Sequence, residues 1–247
     1  MVSTIGIISL SSGIIGEDFV KHEVDLGVQR LKDLGLNPIF LPHSLKGLDF
    51  IKEHPEARAE NLIQAFSDDS IDMILCAIGG NDTYRLLPYL FENDQLQKVI
   101  KQKIFLGFSD TTMNHLMLHK LGIKTFYGQS FLADICELDK EMLPYSRHYF
   151  KELIETGKIS EIRPSNVWYE ERTDFSPKPW EHLVSATQIQ VLTCYKAMLS
   201  LREKSSVVVL SLSMIFLTTL YTQIAQTSAK NTNFSLTYPT GKERFYC

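Results

Sequence analysis

The sequence predicts an α/β protein built on a mainly parallel sheet. Short apolar runs alternate with stretches of helical period along residues 4–128. The runs are continuously apolar, as expected for strands that are covered by helices on both faces of a sheet. Glycine and proline separate the segments, which is typical of closely spaced β-α units.

Each element follows from its own boundary signals. Strands are apolar runs bounded by Gly, Pro or Ser, and helices begin near Pro or end at Gly. The predicted strands are 4–10, 37–42, 71–80, 103–108 and 124–128, and the predicted helices are 17–34, 55–67, 82–93 and 111–122. Parallel sheets bind ligands at the carboxyl ends of their strands, so the turns that follow the strands are the candidate sites.

Composition excludes several classes of protein. The 247 residues are 44% hydrophobic and 22% charged, which is ordinary for a soluble globular chain. A net charge of −4 lacks the basic field of a nucleic-acid-binding protein. The cysteines form no C-x-x-C pair, so neither a zinc site nor a disulfide framework is indicated: Cys76, Cys136, Cys194 and Cys247. The first residues resemble a strand rather than a signal peptide, so we expect a cytoplasmic protein.

A candidate nucleophile lies in the turn after the strand at 103–108. The sequence there is Gly107-Phe108-Ser109-Asp110-Thr111, and Gly-x-Ser between a strand and a helix resembles a nucleophile elbow. Such a turn would hold the Ser109 hydroxyl above the sheet edge, where backbone N–H groups stabilise a developing oxyanion. The alternative is that Ser109 only caps the following helix.

A second turn suits a bound anion. The strand at 71–80 ends in Gly79-Gly80-Asn81-Asp82. Paired glycines allow close backbone approach, and exposed N–H groups bind anions. The alternative is a tight turn that is capped by Asn81 or Asp82. Together the two turns suit acyl transfer, in which one binds a carboxylate or oxyanion and the other supplies the attacking hydroxyl.

The other candidates are weaker, and no metal or cofactor is predicted. His115 and His119 have the i, i+4 spacing of helical metal ligands, but apolar neighbours favour packed or surface histidines. Ser11-Ser12-Gly13 follows the first strand but lacks the glycine pattern of a nucleotide-binding loop. Trp168 and Tyr169 either line a pocket or pack in a strand.

The chain changes character near Pro177. Residues 1–176 carry a net charge of −8, whereas residues 177–247 carry +4 and contain 17 Ser and Thr but one Gly. The tail also lacks the turn signals that punctuate the first part. An apolar run at 205–221 could indicate a membrane anchor, but Ser and Thr interrupt it and it is short for a span.

Residues 1–176 resemble the LD-carboxypeptidase and microcin C self-immunity serine peptidases. The matching segments are 8–13, 77–90, 104–130 and 167–176, and the most specific are I-G-G-N-D at 78–82 and G-F-S-D-T-T at 107–112. The resemblance implies a Rossmann-like domain over 1–150, then a linker and the start of a smaller β-rich domain over 151–176. It also implies a homodimer.

The resemblance assigns roles to the two turns. Family members cleave an amide next to a free carboxylate with a Ser-His-Glu triad. The nucleophile maps to Ser109, and the oxyanion and substrate contacts map to Gly79, Gly80, Asn81 and the amide of Asp110. The implied substrate is a murein LD-peptide or a microcin-type peptidyl-nucleotide, with no nucleic-acid or membrane partner.

The tail departs from this family. It lacks the Gly-Gly-Cys turn that carries the triad Glu, and no histidine matches the triad His, His182 being the only one there. Regrouping possible codons of residues 207–212 by one base yields Gly-Gly-Cys-Val-Glu-Ser, and residues 179–187 yield Leu-Gly-Thr-Pro-Arg-Val-Ser-His. We therefore interpret 177–247 as an out-of-frame remnant of the second domain. The chain as given is then expected to be inactive, with a non-catalytic carboxylate-binding or peptide-binding module as the alternative.

Overall fold

A parallel sheet forms the centre of the fold. A computed structural model of the chain describes residues 1–177 and 185–188. Its main sheet has the strand order β2-β1-β3-β4-β5, and every neighbouring pair is parallel. The strands are β1 (Thr4–Ile8), β2 (Asn37–Phe40), β3 (Met73–Cys76), β4 (Ile104–Gly107) and β5 (Phe126–Tyr127). The prediction of a Rossmann-like α/β domain with a parallel sheet is confirmed.

Helices connect the strands and follow the last of them. They are α1 (Lys21–Asp33), α2 (Leu48–Glu53), α3 (Pro55–Ser67), α4 (Leu87–Phe91), α5 (Gln95–Val99), α6 (Thr112–Lys120) and α7 (Pro144–Thr156). Proline stands in the first turn of α3, α4 and α7, where its missing N–H costs no helical hydrogen bond.

Both faces of the sheet are buried. Alternate residues of each strand point to opposite faces, and residues of both sets are buried. Ile5, Ile7, Met73 and Leu75 belong to one core cluster that includes residues of α1 and α7. Ile8, Ile74 and Phe105 are fully buried as well, and α3 contacts β1, α4 and α5. The continuously apolar strands of the sequence are thus explained.

Several element boundaries were predicted wrongly. The strand predicted at 71–80 ends at Cys76, so residues 77–80 leave the sheet and reach the candidate site. The helix predicted at 82–93 begins as a 3₁₀ turn, Thr83–Leu86, and becomes α-helical only over α4. It ends near the predicted position, where Asn93 and Asp94 adopt left-handed φ angles of 56°. The helix predicted at 17–34 begins only at Lys21, and α2 was not predicted.

A second, two-stranded sheet pairs β6 (Val167–Tyr169) with β7 (Ala186–Gln188) in antiparallel register. Trp168 and Tyr169 therefore lie in a strand, as one of the two alternatives expected, and Trp168 is exposed. The compact unit that holds both sheets spans Met1–Gln190. His182, the run at 205–221 and nearly all of the predicted out-of-frame tail lie outside the described residues.

Candidate active site

Three turns meet at the carboxyl edge of the sheet, where the strand order reverses between β1 and β3. This is the point at which doubly wound sheets bind ligands. The turns follow β1, β3 and β4 and carry Ser11, Gly79 and Ser109. A Cβ atom built on Gly80 would lie 2.0 Å from Ser11 Oγ, and one built on Gly79 would lie 2.8 Å from Ser109 Cβ. The two glycines are needed because the turns approach each other so closely.

Ser109 occupies a strained turn directly after β4. Its φ angle of +61° is left-handed, which costs roughly 1 kcal/mol or more for a residue with a side chain. Gly107 makes the turn possible, because a Cβ there would lie 2.7 Å from both Cys76 Sγ and Thr111 Oγ1. Ser109 itself is exposed, so the turn has the left-handed backbone and the accessible hydroxyl that a nucleophile elbow requires.

The structure does not support the alternative in which Ser109 caps the next helix. Phe108 takes the cap position of the 3₁₀ turn Ser109–Thr111, and Thr111 takes that of α6, neither with a side-chain cap bond. Thr112 Oγ1 instead donates to the Ser109 carbonyl oxygen at 2.6 Å. The serine hydroxyl is left facing the Gly79 turn, with a Gly79 Cβ position 3.0 Å from Ser109 Oγ.

The side chain of Asp110 ties the three turns together. Its carboxylate is buried and accepts hydrogen bonds from Thr83 N at 3.0 Å, Thr83 Oγ1 at 3.1 Å and the Ser11 hydroxyl. The sequence pointed to the amide of Asp110, and the carboxylate role was missed. The Asp110 N atom lies 3.3 Å from the position of a Gly79 Cβ, so this amide and the glycine turn are neighbours, as expected.

A buried arginine, also missed, anchors the glycine turn. Arg58 on α3 is fully buried and donates to Asp82 Oδ1 at 2.7 Å and to the Leu10 carbonyl at 3.2 Å. Arg85 donates to the other Asp82 oxygen at 3.0 Å. Asp82 makes no cap bond; its charge is used in this ion-pair cluster instead. Gly80 and Asn81 are exposed beside it at the rim of the site.

The two histidines of α6 have different surroundings. His115 is buried and directs Nε2 to the Gly107 carbonyl at 3.1 Å, whereas His119 is exposed. Burial lowers the pKa of His115 to about 4, because desolvation disfavours the charged ring. This is the packed histidine that the apolar neighbours indicated. In the described part of the chain, no cluster of His, Cys, Asp or Glu is arranged to hold a metal ion.

Two further findings concern the whole described region. Among its helices, none combines the length and apolar character that a bilayer crossing requires. The two cysteines that lie in it, Cys76 and Cys136, are buried thiols that form no disulfide.

Comparison with known proteins places the fold in a family. Residues 5–128 match the model described as the LD-carboxypeptidase N-terminal domain. An MccF-like protein from Streptococcus pneumoniae, crystallised in complex with AMP, is 88% identical with a TM-score of 0.76, over 77% of this chain and 55% of that one. An MccF-like protein from Bacillus anthracis is 25% identical with a TM-score of 0.62, over 76% and 54% of the two chains.

The curated relatives are longer than the matching region. The probable murein peptide carboxypeptidase of Bacillus subtilis is 30% identical over 140 residues, which are 56% of this chain and 42% of that protein. This chain thus spans less than half the length of that relative. The family model nevertheless covers half of the chain and includes all three turns of the site. The chain therefore belongs to the LD-carboxypeptidase family.

Proposed function

We propose that this chain carries the nucleophile domain of a serine carboxypeptidase that cleaves an amide next to a free carboxylate. The observation that carries the proposal is the left-handed, exposed Ser109 facing the Gly79 turn. Ser109 is the nucleophile, and the amides of Gly79, Gly80 and Asp110 stabilise the oxyanion of the tetrahedral intermediate. Asn81 lies at the rim, where it contacts the substrate.

The substrate class is a small peptide or a peptidyl-nucleotide. The 88% identical structure contains AMP, which favours a peptidyl-nucleotide. The relative named as a murein peptide carboxypeptidase is only 30% identical, so a murein LD-peptide is the second substrate to test. For a murein LD-peptide, the glycine turn would bind the free carboxylate beside the scissile amide.

Hydrolysis by the chain as given should be weak or absent. In the described residues, Ser109 Oγ has no imidazole or carboxylate hydrogen-bond partner, and His115 uses its Nε2 atom on Gly107. A serine hydroxyl without an adjacent base is a poor nucleophile. In the intact protein, a His outside this region would act as the base and a Glu would orient it, as the out-of-frame interpretation of residues 177–247 implies.

The test compares three proteins in one hydrolysis assay. They are the chain as given, a frame-restored chain whose codons after residue 178 are regrouped by one base, and the frame-restored chain carrying Ser109→Ala. We expect turnover of an aminoacyl-adenylate analogue or a murein tetrapeptide by the frame-restored chain only, with losses of roughly 10³-fold or more in the other two. Equal turnover by the first two would refute the missing-base argument. The nucleotide sequence at codons 176–180 decides the frame directly.

A peptide-binding module without catalysis is the second candidate. The same absence of a base beside Ser109 favours it. Binding of an uncleaved acyl-adenylate analogue by the chain as given, together with no turnover by the frame-restored chain, would support this candidate over a peptidase.

A further inference from the structure

Tyr127 contacts the backbone of the candidate nucleophile. It is the last residue of β5 and pairs with Gly107 of β4, which brings its side chain beside the turn after β4. The Ser109 N–H donates to Tyr127 Oη at 3.0 Å. The backbone N–H of Ser109 is thereby satisfied, and the next amide, that of Asp110, is the one that lies beside the Gly79 turn.

The tyrosine ring is not explained by packing in the core. Tyr127 is 58% exposed, and an exposed aromatic ring contributes little hydrophobic stabilisation. Within residues 1–177 and 185–188, its one aromatic neighbour is His115, at a ring-centroid distance of 5.5 Å and an interplanar angle of 64°. We therefore attribute the role of Tyr127 to its hydroxyl group rather than to the burial of its ring.

His115 contacts both the end of β4 and the ring of Tyr127. Its Nε2 atom faces the Gly107 carbonyl oxygen at 3.1 Å, and because a carbonyl only accepts, Nε2 carries the proton. The same ring packs edge-on against Phe105 and Tyr127. One buried side chain thus fixes the end of β4 before Ser109 and the orientation of the tyrosine that binds Ser109.

We propose that Tyr127 is a positioning residue for Ser109, whose hydroxyl holds the left-handed backbone of the nucleophile turn. A left-handed serine persists only where its surroundings determine its conformation. Tyr127 Oη on the N–H side and Thr112 Oγ1 on the carbonyl side supply two such contacts. The proposal rests on the proposed function only for the role of Ser109, because the hydrogen bond itself can be measured without turnover.

The experiment measures the Ser109 amide by NMR in the full chain labelled with ¹⁵N at serine, where the Ser109 signal is the one that disappears in Ser109→Ala. In Tyr127→Phe, which keeps the ring against His115, we expect the Ser109 amide proton to move upfield. Its exchange with solvent should become roughly fivefold to tenfold faster, as for the loss of one hydrogen bond. Tyr145→Phe is the matched control, because Tyr145 is also partly exposed and its hydroxyl donates to the Arg163 carbonyl instead.

A second variant, Tyr127→Leu, distinguishes the contribution of the tyrosine hydroxyl from that of its ring. If the hydroxyl holds the Ser109 backbone, Tyr127→Phe already gives the full increase in the exchange rate of the Ser109 amide. Tyr127→Leu then removes the contact with the His115 ring without a further increase in that rate. In the frame-restored chain, Tyr127→Phe should lower kcat by roughly tenfold with KM unchanged. An unchanged Ser109 amide in Tyr127→Phe would overturn the positioning role, whereas a frame-restored chain without turnover would overturn the proposed function and leave this amide measurement valid.

Discussion

Asp110 accepts a hydrogen bond at 3.0 Å from the backbone N–H of Thr83, although the two residues lie on turns that follow different strands. The carboxylate also accepts from the Ser11 hydroxyl, and the single Thr83 hydroxyl proton is shared between the Asp110 carboxylate and the Asp110 carbonyl oxygen. One buried side chain therefore joins the turns after β1, β3 and β4. The position of Ser109 relative to Gly79 depends on this connection.

Removing the Asp110 carboxylate should destabilise the domain. In Asp110→Ala the Thr83 N–H and the Ser11 hydroxyl lose their acceptor in a buried place, whereas the Thr83 hydroxyl keeps the Asp110 carbonyl, and we expect the free energy of unfolding to fall by about 3 kcal/mol. Urea denaturation measures the change. Asp69→Ala is the control, since Asp69 is exposed in its ion pair with Lys101 and should change stability by less than about 1 kcal/mol. Equal effects of the two variants would contradict the role given to Asp110.

The two arginines bound to Asp82 should differ strongly. Arg58 is fully buried, whereas the Arg85 side chain is 37% exposed. Arg58→Met leaves Asp82 partly buried without its main counter-charge, and we expect a loss of about 3 kcal/mol. Arg85→Met should cost less than about 1 kcal/mol. Denaturant unfolding of both variants checks this, and a larger loss for Arg85→Met would be inconsistent with the burial described.

A methyl group at Gly79 should disrupt the site without unfolding the chain. Gly79→Ala would place Cβ 2.8 Å from Ser109 Cβ, so Ser109 must move away from the glycine turn. In the frame-restored chain we expect a loss of turnover of at least about 100-fold, on the scale of a misplaced reacting group. Gly157→Ala is the control: it introduces strain at a φ angle of +71° but meets no atom within 4 Å. Its turnover should match that of the parent chain.

Acidification should destabilise the domain through His115. Its pKa is lowered from 6.5 to about 4 by burial, so between these pH values the unfolded chain binds a proton that the folded chain excludes. The free energy of unfolding therefore falls as the pH drops through this range, by roughly 3 kcal/mol for this group.

Substitution isolates the contribution of this histidine. His115→Gln can still donate to the Gly107 carbonyl but does not titrate, so stability should depend less on pH between about 6.5 and 4. His119→Gln, at an exposed position of the same helix, should retain the pH dependence of the parent chain. If His115→Gln leaves the pH dependence unchanged, another group is responsible for it.

The sequence predicted those features of the fold and site that have local causes. Apolar strands and the Gly-x-Ser turn identified the parallel sheet and placed Ser109 after β4. The proximity of Gly79 to Ser109 followed from the rule that strand ends meet at one edge of a parallel sheet. The helix at 82–93 was predicted with the correct end but the wrong geometry for its first turn, because a 3₁₀ turn such as Thr83–Leu86 and an α-helix have similar apolar spacing.

Other residues of the site could not be predicted because their roles depend on distant contacts. Arg58 lies on a helix with an ordinary amphipathic pattern, and only the fold shows that its guanidinium reaches Leu10 and Asp82. Tyr127 looks like a strand residue, and its hydroxyl meets Ser109 only because β4 and β5 are adjacent. In the sequence, Arg58 shares a helix face with Leu62 and Ala65, and Tyr127 stands at a strand end; these are the signals that could have suggested both.

Covalent labelling of the frame-restored chain with a fluorophosphonate tests the central claim most directly, because this reagent reacts with activated serine hydroxyls. Intact-mass measurement and peptide mapping should find one adduct, located on Ser109, and no adduct in Ser109→Ala. The exposed Ser70 serves as an internal control and should stay unmodified. An adduct on another serine, or equal labelling of Ser109→Ala, would contradict the assignment of Ser109 as the nucleophile.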